Sequence, residues 1–219
     1  MSLAPIEEAL KRIRRGEMVL VVDDEDRENE GDLTMAACWV TPEAVNFMLR
    51  WARGLVCMPC DGRRLDELDL RPMVPSDCAD NDTAFTVSID HVTAGTGIGA
   101  GDRATTIRRL LDPDARPSDF QRPGHVFPLR ARQGGVLERR GHTEAAVDLA
   151  RLAGCAPVAV ICEVLHDDGS PARLPYLELF AQEHRIAVVS VAQLVEYREQ
   201  WESAAGDGAR TSARRTLLL

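Results

Sequence analysis

The chain has 219 residues, 45% of them apolar, with 35 acidic and 26 basic side chains and a net charge of −9. That length and apolar share exclude a disordered chain and allow one domain with a full hydrophobic core. The acidic balance argues against non-specific nucleic-acid binding, which needs a basic face. Lys11, the single lysine, is the only residue on which Schiff-base or Walker-type phosphate chemistry could rest.

Apolar residues at Ile6, Ala9, Leu10 and Ile13 recur at helical spacing and predict a helix from Pro5 to Arg15, stopped at Gly16. Met18 to Val22 is a β-branched run and predicts a buried strand, and Leu33 to Val40 predicts a second. Thr41-Pro42-Glu43 opens a helix to about Ala52, with proline at its first position. Leu55 to Met58 and Phe85 to Ile89 read as short strands, Asp102 to Leu111 as a helix, and His125 to Leu129 as extended. A helix is expected from His142 to Ala153, a buried strand from Val158 to Leu165 and a helix from Pro175 to His184. Ile186 to Val191 follows as a strand and Val191 to Trp201 as a last helix. This alternation predicts one α/β domain over residues 1–202, a mixed sheet flanked by helices. Residues 203–219, small, polar and dotted with arginine, are expected to be a disordered tail.

No run reaches the ~18 apolar residues of a membrane span. The first residues lack the apolar core of a signal peptide. Six cysteines without a dense disulfide spacing read as reduced thiols. A cytoplasmic protein is therefore expected, with no membrane and no nucleic-acid partner.

The charge is concentrated. Asp23 to Asp32 holds seven acids and one arginine, two thirds of the net charge. It begins directly after a buried strand, where α/β proteins place ligand sites, and its carboxylates suit a hard divalent cation. An EF-hand is excluded, because Asn29 stands at the sixth position counted from Asp24, where glycine is required. An aspartyl-nucleophile phosphatase would use Asp24 and Asp26 with Lys11 as their companion.

The whole string Asp23-Asp-Glu-Asp-Arg-Glu-Asn-Glu-Gly-Asp32 resembles the signature of the 3,4-dihydroxy-2-butanone 4-phosphate synthases of riboflavin biosynthesis. Arg122-Pro-Gly-His-Val-Phe-Pro-Leu129, Gly141-His-Thr-Glu-Ala-Ala-Val-Asp-Leu149, Cys162-Glu163, Thr83 to Ser88 and Asp102 to Thr106 resemble further family segments in the family's order. The likeness runs over residues 5 to 200. It implies conversion of D-ribulose 5-phosphate to L-3,4-dihydroxybutan-2-one 4-phosphate and formate, with Mg²⁺ or Mn²⁺ and no organic cofactor. It also implies a homodimer with sites near the interface. Many relatives carry a fused GTP cyclohydrolase II domain; a chain ending at Leu219 without a zinc cysteine cluster is expected to be monofunctional.

Each implied residue has a physical reading of its own. Glu28 and His142 would hold the metal through an oxygen and an imidazole nitrogen. The resemblance has His142 meeting Glu28 across the dimer interface. Arg139, Gly141, His142 and Thr143 lead into a helix N-terminus, a cradle for the substrate phosphate. His125 and Glu163 would move protons, Glu163 as a carboxylate following a buried strand. Arg27 and Asp32 would contact substrate. Asp23, Cys57 and Thr96 are further pocket candidates. Cys57-Met-Pro-Cys60 lacks the second pair of a zinc site, so Cys57 reads as a pocket wall. Gly95 to Gly101 has the wrong spacing for a dinucleotide loop, and Gly99 stands where the family usually has serine. Two other classes remain: another Mg²⁺-dependent phosphosugar enzyme, or a non-catalytic homologue.

Overall fold

Alternate residues of the first strand, β1 (Val19–Val22), feed two separate cores. Val19 and Val21 pack with Ile6, Leu10 and Ile13 of α1 (Ile6–Arg14), with Leu149 of α5 (His142–Leu152) and with Leu194 of α7 (Val191–Thr216). Leu20 and Val22 face the other way. They join Val45 of α2 (Pro42–Phe47), Ile107 of α4 (Ala100–Leu110) and Leu177 and Phe180 of α6 (Leu174–His184). The short α3 (Gly62–Glu67) adds Leu65 to this second core. The structure is a computed structural model and describes residues 3–74 and 83–216, with side chains up to 203. Cys78 lies outside the described residues.

The sheet between the two cores has the order β4-β5-β3-β6-β2-β1-β7. The other strands are β2 (Gly31–Ala36), β3 (Cys57–Cys60), β4 (Ile89–His91), β5 (Phe120–Arg130), β6 (Ala159–Glu163) and β7 (Ala187–Ser190). β1 runs parallel to β7 and β3 runs parallel to β5, whereas the β1–β2, β2–β6, β3–β6 and β4–β5 pairs are antiparallel. This is the expected mixed sheet flanked by helices.

Several boundaries differ from expectation, each for a local reason. β2 ends at Ala36 rather than Val40, because the Ala37 N–H donates to the Val158 carbonyl and the chain then winds through a 3₁₀ turn, Ala37–Trp39. The expected strand at Phe85 dissolves into isolated bridges from Phe85 to Leu129 and from Thr86 to Pro72, and regular pairing starts only at Ile89. β5 is longer than expected, extended at its start by pairing with β4. The helix from Pro42 is closed by a π turn, Met48–Ala52. Thr41 caps its start, its hydroxyl accepting from Ala44 N–H at 3.1 Å. The last helix does not stop at Trp201. It runs on to Thr216 through the residues expected as a tail, which are rich in alanine and arginine, strong helix formers.

Candidate active site

The register of β2 against β6 sets the first pair of groups. Asp32 lies directly opposite Glu163, and Leu33 opposite Cys162. Leu33 and Cys162 belong to the core under α2, α4 and α6. Asp32 and Glu163 therefore face the α5 side, as does Cys57, which pairs with Ile161. Cys60 falls on the opposite face, in the other core, so the C-x-x-C spacing brings no two thiols together.

The acidic loop closes over this end of the sheet and is built around Asp23. Asp23 Oδ1 accepts from Glu30 N–H at 2.8 Å, and Oδ2 accepts from Glu28 N–H at 3.1 Å and Arg27 Nη1 at 2.8 Å. Arg173, at the start of α6, donates to the carbonyls of Glu28 and Asn29, both at 2.5 Å. Asn29 sits at φ 55°, a left-handed turn that asparagine tolerates. These ties hold the Glu28 carboxylate 3.5 Å from His142 Nδ1, and Arg27 Nη2 lies 3.0 Å from its other oxygen. The two residues meet within one chain. The expectation that they meet across an interface is corrected: the short loop already reaches the first turn of α5.

The α5 N-terminus forms the opposite wall. Its first backbone N–H groups have no partner within the helix. Arg139 donates through Nη1 to Glu144 at 2.7 Å and through Nη2 to Thr83 Oγ1 at 2.9 Å. A Cβ at position 141 would stand 2.1 Å from Arg139 Nη1 and 2.9 Å from Glu144 Oε2, so a larger residue there would displace the guanidinium from Glu144. A cavity of about 190 Å³ lies between these walls. Of the predicted residues, Arg27, Glu28, Asp32, Cys57, Arg139, His142, Thr143 and Glu163 line it. Asp23 and Gly141 stand behind it and shape it.

His125 and Thr96 do not line this cavity. His125 is on β5, four residues before Leu129, which does line it, so about 13 Å away along an extended strand. Its Nδ1 lies 2.6 Å from Asp90 Oδ2. Gly97, next to Thr96, packs against the same carboxylate. The two residues absent from the cavity thus share a second neighbourhood. Sequence reasoning missed Glu30, which lines the cavity and follows Glu28 by two, and also Glu144 and Arg173. A larger cavity of about 610 Å³ between α3 and α5 holds none of the predicted residues, and its Arg130 and Arg151 are paired with Asp66 and Asp61.

Electrostatics separate the groups. Glu28 is lowered to about 2, by the His142 imidazole 3.5 Å away and by Arg27, against the cost of burial. Burial works against charge on His142, but Asp32, Glu28 and Asp23 outweigh it and raise it to about 9. Asp32 is raised to about 7, chiefly by burial and also by Glu163 opposite. Burial and Glu163 push the Cys57 thiol up, so it is a neutral wall rather than a nucleophile. The sign for stability follows. Glu28 stabilises above its ordinary 4.5, and this is lost as pH falls toward 2. Asp32 and His142 retain protons that the unfolded chain releases above 3.8 and 6.5, so their contribution falls as pH rises. Thermal melts in EDTA should show Tm falling from pH 6.5 to 9, the window of His142. His142→Asn removes its share and leaves Asp32, no longer lowered by the imidazolium, to carry what remains; a wild-type Tm flat across this window would reject the assignment.

The donor set fits a small divalent cation. His142 Nε2 and Asp32 Oδ1 are buried without a hydrogen-bond partner among the described residues. One atom from each of Asp23, Glu28 and His142 lies within 4.8 Å of the others. Because both Asp23 oxygens already hold the loop, Glu28 and His142 are the residues that could take Mg²⁺ or Mn²⁺.

The sequence profile of the 3,4-dihydroxy-2-butanone 4-phosphate synthase family matches residues 7–197. The chain belongs to this family. The riboflavin biosynthesis protein RibBA of Aquifex aeolicus is 57% identical over 201 residues, covering 90% of this chain and 50% of that protein. The 3,4-dihydroxy-2-butanone 4-phosphate synthase of Agrobacterium fabrum is 56% identical over 198 residues, covering 90% of this chain and 93% of that one. The chain thus spans half of one synthase-family relative and nearly all of another. A solved 3,4-dihydroxy-2-butanone 4-phosphate synthase in complex with two magnesium ions is 43% identical, with a TM-score of 0.86 over 91% of this chain and 98% of that one. Among the described residues, no helix is long and apolar enough to cross a membrane.

Proposed function

We propose that the chain converts D-ribulose 5-phosphate into L-3,4-dihydroxybutan-2-one 4-phosphate and formate, for riboflavin biosynthesis, with Mg²⁺ or Mn²⁺ and no organic cofactor. The observation that carries this is the division of one small cavity into an anion end and a carboxylate–imidazole end. Arg139, Thr143 and the α5 N-terminus receive the phosphate. Arg27 and Asp32 bind the sugar beside it. Glu28 and His142 hold the cation, which when bound supplies Lewis-acid polarisation of the sugar's carbonyl and hydroxyl oxygens. Glu163 Oε2 accepts from Leu55 N–H at 2.8 Å, which aims its carboxylate along the sheet end beside Asp32 and suits it to move protons.

The phosphatase reading loses support, because neither Asp24 nor Asp26 lines the cavity and Lys11 is exposed on α1. The deciding assay supplies ribulose 5-phosphate and follows formate with and without EDTA. Metal-dependent formate is expected, and inorganic phosphate without formate would overturn the reading.

The same reading includes a homodimer with sites near the interface. His125 is 42% exposed on its side chain, and Val92 and Ile98, which follow its partner Asp90 and Gly97 in the chain, are exposed apolar residues, 50% and 52% accessible. A second copy covering this face would bury them and bring His125 and Thr96 to the cavity of its neighbour. Equal mixing of the strongly impaired His125→Ala and Glu163→Gln chains, with subunit exchange, should restore about a quarter of wild-type activity, because half the dimers then carry one intact site. No recovery in exchanged mixtures would reject the shared site.

A further inference from the structure

The described carboxylate that touches the imidazole of His125 is Asp90, and no sequence signal pointed to it. Its side chain is 9% exposed. Oδ1 accepts the His125 backbone N–H at 2.9 Å, and Oδ2 lies 2.6 Å from Nδ1 of the ring. One carboxylate thus grips both the backbone and the ring of a single residue.

The surrounding chain is shaped for this grip. Ile89 pairs with Val126, yet the next residue, Asp90, pairs with Gln121. Residues 122–125 are therefore looped out of the ladder, and the loop returns His125 over Asp90. Gly124 must be glycine, since a Cβ there would stand 2.0 Å from the Ile89 carbonyl carbon, and its N–H donates to Ser88 Oγ at 3.1 Å. Gly97 closes the other side at φ +82°, where a Cβ would stand 2.0 Å from Asp90 Oδ2. Gly97 N–H in turn donates to Asp102 Oδ2 at 3.1 Å, anchoring this glycine loop to α4. The glycines of residues 95–101, which fit no dinucleotide motif, thus include one that makes room for this carboxylate.

We propose that Asp90 is a positioning residue that fixes His125 in the tautomer protonated at Nδ1, leaving Nε2 as the proton-accepting atom in the reaction. This rests on the reading of His125 as a proton-transfer group. An ionised carboxylate only accepts hydrogen bonds, so the ring nitrogen facing it carries the hydrogen. The second bond, to the backbone, stops the carboxylate from rotating away. The ring, on a side chain 42% exposed, then keeps its lone pair on Nε2.

Asp90→Asn is the informative variant. The amide oxygen can keep the backbone bond of His125, which turns the NH₂ toward Nδ1 and forces the ring proton onto Nε2. The wrong tautomer should lower kcat by about 10² to 10⁴, while KM stays within about threefold, since no substrate contact is removed. Gly97→Ala should displace the carboxylate and lower kcat in the same direction. Three readouts decide. Nitrogen NMR of the His125 ring should report Nδ1–H in the wild type and Nε2–H in Asp90→Asn; an unchanged tautomer would overturn the proposal. In a His125→Ala background, Asp90→Asn should cost nothing further; an additional loss would show that Asp90 acts on something else. Full activity of His125→Ala alone would instead sink the reading of His125, and the ring tautomer would still decide whether Asp90 sets it. A Tm near wild type separates all of this from a folding defect.

Discussion

Glu28→Gln should abolish formate release at ordinary Mg²⁺ concentrations. The change is nearly isosteric, so the loop built on Asp23 and Arg173 stays in place. What disappears is the charge that makes this oxygen a cation ligand. Glu28 is lowered to about 2 by the His142 imidazole 3.5 Å away and by Arg27. A neutral amide leaves His142 without the carboxylate that faces it, since Asp23 is committed to holding the loop. Loss of a cation that supplies several kcal/mol of charge stabilisation corresponds to a fall of about 10³-fold or more in kcat/KM. Calorimetry with Mn²⁺ should show the affinity loss directly, and excess metal should recover part of the rate. Wild-type Mn²⁺ affinity in the variant would remove Glu28 from the metal.

Glu163→Gln should separate binding from turnover. Glu163 sits at the end of β6, opposite Asp32, and its Oε2 accepts the Leu55 N–H at 2.8 Å. Gln keeps the size and can keep that bond through its oxygen, but it cannot take up a proton. A lost proton-transfer group lowers kcat by about 10² to 10⁴. Ribulose 5-phosphate should still bind, because Arg139 and the α5 N-terminus are untouched. Removing the charge opposite Asp32 should also make Asp32 easier to ionise, since Glu163 is one of the groups that raises it. Formate production at the wild-type rate would reject the role.

Much of this site was legible along the chain, because its chemistry is written in contiguous runs. Asp23 to Asp32 forms a loop that stays close to one strand end. Gly141-His142-Thr143 announces a helix start. The buried apolar run before Glu163 places a carboxylate at a strand end. Residues that serve others across the sheet were not legible. Asp90 meets His125 only through a looped-out pairing of β4 with β5, and nothing in the sequence near residue 90 records that partner. Arg173 reaches Glu28 and Asn29 from a helix 144 residues away. Glu144 read as one more helical residue, yet it orients Arg139 and accepts the Arg132 N–H at 2.9 Å. The strand order was likewise hidden, since each pairing depends on contacts remote in sequence. The final helix was cut short because polar composition was read as disorder, although alanine and arginine favour helix.

The pairing of Asp32 with Glu163 and of Leu33 with Cys162 has a consequence for quality control. In a two-faced strand, a slip by one residue moves every side chain to the other side. In β2 it would drive Asp32 into the core beneath α6 and push Leu33 into the cavity. The same alignment therefore decides both whether the sheet is stable and whether the chemistry is possible. A molecule with this strand misaligned would not persist as a well-folded but inactive protein. It would open and expose its apolar strands, the state that proteases act on.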